Sequence, residues 1–239
     1  MQETNNPILV GLDVANVDQA GQLVTQLAGL VGGFKIGLEL FNTAGPAVFD
    51  QVRAAAGGEA RIFYDAKLHD IPNTVAGAIR AAAKHDLWMI NIHASGGRDM
   101  MRAGVDAAKS AASPPLVIAV TVLTSLDDAV LQGQLGVART AEEQVVALAR
   151  LAQGAGCDGV VASPREIKAI KAVCGRDFLV VAPGVRPAGA ELGDQKRVAT
   201  PGQAVQDGAD YIVVARPIVQ DADPPSAARY ILREIAGVR

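Results

Sequence analysis

The chain has 239 residues, half of them hydrophobic and 20% charged, with 22 basic against 25 acidic side chains and a formal net charge of -3. That balance, with no basic block anywhere, excludes the electrostatic footprint of a nucleic-acid groove or a polybasic membrane patch and describes a globular protein with a large core. The only cysteines, Cys157 and Cys174, are too few for a disulfide framework and lack zinc-site spacing, which reads as a reducing, cytoplasmic compartment. No stretch reaches the roughly 20 apolar residues of a membrane span. The polar residues 1–7 lead straight into an apolar strand and do not read as a signal peptide.

Short β-branched runs alternate with Ala-rich amphipathic stretches along the whole chain. In order, a strand at 8–13 precedes a helix at 17–30, a strand at 33–38 a helix at 44–56, 61–67 a helix at 74–84, and 88–94 a helix at 98–111. The strand at 116–124 precedes a helix at 140–154, 159–163 a helix at 164–173, 178–184 a helix at 200–208, and 211–216 a helix at 226–237. Gly154, Gly208 and Gly237 stand where helix ends favour glycine. Eight such units of about 30 residues predict an α/β protein, a single-domain (β/α)8 TIM barrel over residues 1–239. An open doubly wound sheet is the alternative, but no G-x-G-x-x-G follows the first strand and no linker divides the chain.

In such barrels the reactive groups close the C-terminal ends of the strands. Here the first strand ends Leu12-Asp13, the second contains Lys35, and the third ends Asp65-Ala66-Lys67-Leu68-His69-Asp70. Asp65 and Lys67 are two apart, so they project to one side and set an ammonium among carboxylates. Burying such charges costs several kcal/mol each unless they are paired. One of them alone reads as a structural ion pair, whereas Asp13, Lys35, Asp65 and Lys67 together at strand ends point to a reaction site. Spacing leaves Asp70 open between a site residue and the capped start of the helix after Pro72. His93 reads as a hydrogen-bonded core histidine, and the three histidines make no metal-binding spacing.

Loops after the seventh and eighth strands of this fold commonly hold a phosphate. Arg186 follows the seventh strand within Pro183-Gly184-Val185-Arg186-Pro187, and Arg216 closes the eighth. Arginine clamps phosphate through parallel hydrogen bonds, and turn N–H groups complete a cradle. The segment 125–139 is polar, contains glycine and is long for a barrel connection, which predicts a closing lid.

These residues together resemble the orotidine 5'-phosphate decarboxylase family over nearly the whole chain. The matching segments are Leu12-Asp13, Phe34-Lys35-Ile36-Gly37, the run from Tyr64 to Thr74 with its D-x-K-x-x-D-I-x-x-T pattern, Val120 to Ser125, Ala182 to Pro187, Gly193-Asp194-Gln195 and Val214 to Pro217. The resemblance implies metal- and cofactor-free decarboxylation of orotidine 5'-phosphate to UMP, the final step of UMP biosynthesis, through a carbanion at C6. In that pattern Lys67 stabilises and then protonates the carbanion, and Asp65 faces the departing carboxylate. Lys35, Asp65, Lys67 and Asp70 form an alternating charge array, with Asp70 and Thr74 coming from the neighbouring subunit of a homodimer. Asp13 and Lys35 hold the ribose, Thr124 and Ser125 meet the pyrimidine, and Gln195, Arg186, Ala215 and Arg216 bind phosphate, Gln195 also spanning toward the base. The family usually has glycine where this chain has Ala215, which predicts weaker phosphate approach at most.

Two rivals stand beside this reading. A metal-dependent sugar-phosphate decarboxylase or aldolase of the same barrel superfamily shares D-x-K-x-x-D but would lose activity to a chelator. A non-catalytic nucleotide-binding barrel would bind UMP and leave orotidylate unchanged.

Overall fold

Eight short parallel strands, each apolar on two faces, leave no sheet edge when they close on themselves. The computed structural model, which describes residues 6–187 and 199–238, shows that closure: neighbouring strands pair in sequence order from β1 to β8, and β1 pairs β8. The strands are β1 Ile8–Gly11, β2 Gly33–Ile36, β3 Ile62–Leu68, β4 Met89–His93, β5 Leu116–Val120, β6 Gly159–Val161, β7 Leu179–Ala182 and β8 Tyr211–Val214. The (β/α)8 barrel expected from the sequence is therefore the fold.

The helices are α1 Val17–Leu27, α2 Leu38–Ala44, α3 Ala47–Ala55, α4 Pro72–Ala82, α5 Gly97–Lys109, α6 Asp128–Gly133, α7 Ala141–Ala155, α8 Ile167–Cys174, α9 Pro201–Gln206, α10 Arg216–Val219 and α11 Pro224–Ala236. The helix expected at 44–56 is α3; α2 precedes it where no helix was expected, and Gly45 at φ 66° and Pro46 separate the two. The helix expected to end at Gly154 continues to Ala155 and is capped instead by Gly156 in the left-handed conformation. Its start is a full capping box between Thr140 and Glu143. The segment 125–139, expected as a loop, contains α6, whose start is capped by the Asp127 side chain on Val130 N–H. Among the described residues no helix is long and apolar enough to cross a membrane.

Strand alternation divides the core into two shells. Ile8, Val10, Ile62, Ile90, Ile92, Val160 and Ile212 face the helix ring and join the larger cluster. Leu9, Phe63, Met89, Ile118, Val181 and Val213 face the other way and fill the barrel, with Trp88 and Tyr211 packed edge-on at 4.9 Å against that cluster. Cys157 and Cys174 are buried free thiols. Burial, and then Asp158, push the Cys157 thiol up to about 12, which makes it inert.

Candidate active site

The apolar filling stops part-way up the barrel. Inward positions two residues past Phe63 and Met89 are Asp65 and Asn91, and the inward residue of β2 is Lys35. Above them opens a cavity of about 590 Å³ whose lining includes Asp13, Lys35, Asp65, Lys67, Arg186 and Arg216. Phe63, Val161 and Val213 form part of the same lining, so the apolar plug of the barrel is also the floor of the cavity.

The charges form a continuous chain. Lys35 Nζ lies 2.9 Å from Asp13 Oδ1 and 3.4 Å from Asp65 Oδ2, and Lys67 Nζ lies 2.6 Å from Asp65 Oδ1. The Lys35 and Asp65 side chains are only 8% and 13% exposed, so each needs the other's charge. Burial opposes the ammonium of Lys35, but the carboxylates of Asp65 and Asp13 more than offset it and hold Lys35 above the ordinary lysine value. Burial likewise pushes the Asp65 carboxyl up. The ammonium groups of Lys35 and Lys67, with hydrogen bonds from Lys67 and Asn91, pull it further down, and the net shift is downward. Gly37 has no side chain for a steric reason: a Cβ there would stand 2.9 Å from Lys35 Nζ.

Lys67 occupies the left-handed region at φ 49°, which costs a non-glycine residue about 1–3 kcal/mol and is found where the surroundings enforce it. The cause lies in the β3–β4 ladder: Tyr64 pairs Ile90 and Leu68 pairs Ile92, so between these pairs β3 carries three residues where β4 has only Asn91. The chain bulges at Asp65, Ala66 and Lys67. Lys67 N–H is caught by the Asn91 side chain, donating to its Oδ1 at 2.7 Å.

On the β7–β8 side, Gly184 turns the chain at φ 77°. The next residue but one, Arg186, is 8% exposed, with its Nη1 donating to the Val185 carbonyl at 2.9 Å. Arg216 opens α10 directly after Ala215. Ala215 sits at φ -114° and ψ -93°, outside the left-handed region that favours glycine. Its methyl is received by Gly11, where a Cβ would stand 3.0 Å from Ala215 Cβ.

A family model described as the orotidine 5'-phosphate decarboxylase / HUMPS family matches residues 6–231. The chain belongs to that family. Among curated relatives, the orotidine 5'-phosphate decarboxylase of Moorella thermoacetica is 49% identical over 237 residues, covering 97% of this chain and 93% of the relative. That of Syntrophomonas wolfei is 47% identical over 234 residues, covering 95% and 97%. A crystal structure of orotidine 5'-phosphate decarboxylase from Lactobacillus acidophilus superposes with a TM-score of 0.84 at 36% identity, covering 96% of this chain and 99% of the other.

Of the site residues expected from the sequence and the family resemblance, Asp13, Lys35, Asp65, Lys67, Thr124, Arg186, Ala215 and Arg216 line the one cavity. Asp70, Thr74 and Ser125 are exposed and stand outside its lining. Asp70 does not cap α4, whose N-cap is Ile71; its carboxylate instead accepts from Ile71 N–H at 2.7 Å. Gln195 lies outside the described residues. His93 stacks on His69 with ring centroids 5.5 Å apart. Burial, followed by the charges of His69 and Lys67, pulls His93 below the usual histidine value against the opposing charge of Asp65. The sequence reading missed Gln220, a lining residue in the turn after α10 that no strand-end pattern marks. It also missed Asn91, fully buried in β4. The signal for Asn91 was present: a polar residue sharing the inward parity of Met89 and flanked by Ile90 and Ile92.

Proposed function

We propose that this protein converts orotidine 5'-phosphate to UMP and CO2 without a metal or cofactor, as the last step of UMP formation, and that residues 1–239 act as one catalytic domain. The ion-paired chain Asp13–Lys35–Asp65–Lys67 on the cavity wall carries this reading. Family membership and the names of relatives near 48% identity support it.

In the reaction the C6–carboxylate bond breaks, CO2 departs, and the bonding electron pair remains on C6. The Lys67 ammonium faces that developing carbanion, stabilises it and transfers a proton to C6, then regains a proton from water. Asp65, fixed by two ammonium groups and nearly buried, faces the substrate carboxylate. Charge repulsion there is relieved as CO2 leaves, which favours the transition state over the bound substrate. Asp13 and Lys35 hold the ribose hydroxyls, and Thr124 and Ser125 meet the pyrimidine. Arg186, Arg216, the Ala215 N–H and Gln195 hold the phosphate. These remote contacts orient the ring over Lys67, so substrates lacking phosphate lose kcat as well as affinity.

The active form is a homodimer in which Asp70 and Thr74 complete the neighbouring site. Their exposure is compatible with that role, and Ile71, 68% exposed next to Asp70, offers apolar surface to bury. Sedimentation equilibrium showing only monomer at working concentration would contradict the shared site. The buried, unbridged thiols fit a cytoplasmic setting.

The test is ultraviolet monitoring of orotidine 5'-phosphate with purified protein in excess chelator, alongside Lys67→Ala. Loss of the orotate chromophore with UMP formation, abolished in the variant, is the expected result. No turnover by folded protein would overturn the reading.

A further inference from the structure

Asn91 is fully buried, lies beneath the cavity rather than on its surface, and uses both ends of its amide on the two residues above it. Its Oδ1 accepts from Lys67 N–H at 2.7 Å, and its Nδ2 donates to Asp65 Oδ1 at 2.6 Å. The same Asp65 oxygen accepts from Lys67 Nζ at 2.6 Å. One side chain therefore ties the backbone of the proposed proton donor to the carboxylate that orients its ammonium.

The need for such a tie follows from the bulge. Between the Tyr64–Ile90 and Leu68–Ile92 pairs, β3 has two residues more than β4, so the regular ladder offers no carbonyl partner in register for every N–H of β3. A buried N–H left without an acceptor costs about 1–3 kcal/mol. The Asn91 carbonyl takes the place of that ladder acceptor and fixes Lys67 at φ 49°. We infer that Asn91 is a positioning residue for the decarboxylation: its amide clamps Lys67 in the left-handed bulge and aims the Asp65 carboxylate, so that Lys67 Nζ points at the reacting carbon. This inference rests on the decarboxylase reading given above.

The chemistry of the clamp is specific. A side chain here must accept at one atom and donate at the neighbouring one, which asparagine does at every pH and aspartate does only when protonated. Asn91→Asp keeps the shape but sets a second carboxylate against Asp65 at hydrogen-bond distance. Two carboxylates so close share a proton at low pH and repel when both are ionised. Asn91→Leu keeps the volume and removes both hydrogen bonds.

The experiment measures kcat, KM and the UMP dissociation constant for wild type, Asn91→Asp and Asn91→Leu between pH 5.5 and 8.5, with crystal structures of both variants. Misplacing a reacting group by about 1 Å costs on the order of 100-fold, so kcat of Asn91→Asp is expected to fall by about that factor at pH 8. KM and UMP affinity should stay within about threefold, because phosphate and ribose contacts are remote from the clamp. Relative to wild type, kcat of Asn91→Asp should recover at least about tenfold toward pH 5.5, as protonation restores the donor. Asn91→Leu, which has nothing to titrate, should show the loss without recovery; if it does not fold, Asn91→Asp decides alone. In the crystals Lys67 should leave the left-handed region or its Nζ should separate from Asp65 beyond ion-pair distance. A folded variant with wild-type kcat, or a loss in Asn91→Asp that pH does not reverse, would overturn the inference. Wild type without turnover would sink the decarboxylase reading instead, and the crystals then judge the clamp itself: an unchanged Lys67 backbone and Lys67–Asp65 contact would show that Asn91 holds neither.

Discussion

Along β3, Phe63 and Asp65 both face the barrel interior, and along β4 so do Met89 and Asn91, yet one step along each strand changes the physics completely. The lower positions join Leu9, Ile118 and Val181 in an apolar plug that needs only shape and volume. The upper positions join Lys35 and Lys67 in a layer where every charge needs a partner: Asp65 accepts from Lys67 and Asn91, and Lys35 lies between two carboxylates. The difference teaches that the barrel separates stability from chemistry by height within the same strands. A change below should alter the folding equilibrium and leave the reaction alone, whereas a change above should alter the reaction and reach stability only through the paired charges.

The sharpest break of that comparison is Lys67→Ala. Its side chain is 33% exposed, so its loss opens no core cavity, and kcat should fall by about 10⁴-fold while the melting temperature moves by only a few degrees. Continuous ultraviolet assay and calorimetry on the same samples check both halves. Below the boundary, Ile118→Ala removes a fully buried side chain and should cost about 2–5 kcal/mol in urea unfolding. The folded fraction should keep its kcat and KM within about twofold.

The upper layer should contribute a pH dependence of stability at both ends of the range, beside the alkaline contribution of the buried Cys157 thiol. Asp65 is held below the ordinary carboxylate range, so its contribution is present above about pH 3.9 and is lost as pH falls through its lower folded value. Lys35 is held above its ordinary value, so its contribution is present below about pH 10.4 and is lost as pH rises through the higher folded value. Urea midpoints measured across pH should therefore show both limbs in wild type and in Ile118→Ala. Paired replacement Lys35→Met with Asp65→Leu should weaken both limbs, the alkaline one keeping the Cys157 part; limbs unchanged from wild type would assign the dependence to other groups. The smallest effect concerns Ala215→Gly. With Ala215 at a negative φ and its methyl received by Gly11, UMP affinity by calorimetric titration should change less than about threefold, and stability should fall by about 0.4–1 kcal/mol.

The amino-acid sequence by itself determined the alternation of strands and helices, the eight-unit count, and the charged ends of the first three strands, because strand and helix periodicities are local and a charge closing an apolar run stands out. It also carried the D-x-K-x-x-D run that tied the chain to its family. Helix details escaped it: α2 forms ahead of Gly45 where no helix was expected, and Asp127 starts one inside an expected loop. Only the tertiary structure decided that Lys67 adopts φ 49°, that Asn91 supplies its missing acceptor, and that Gly11 makes room for the Ala215 methyl. Each of these depends on the register of one strand against another 24 or more positions away in the chain. Register is fixed by closure of the whole barrel, and no local spacing reports it.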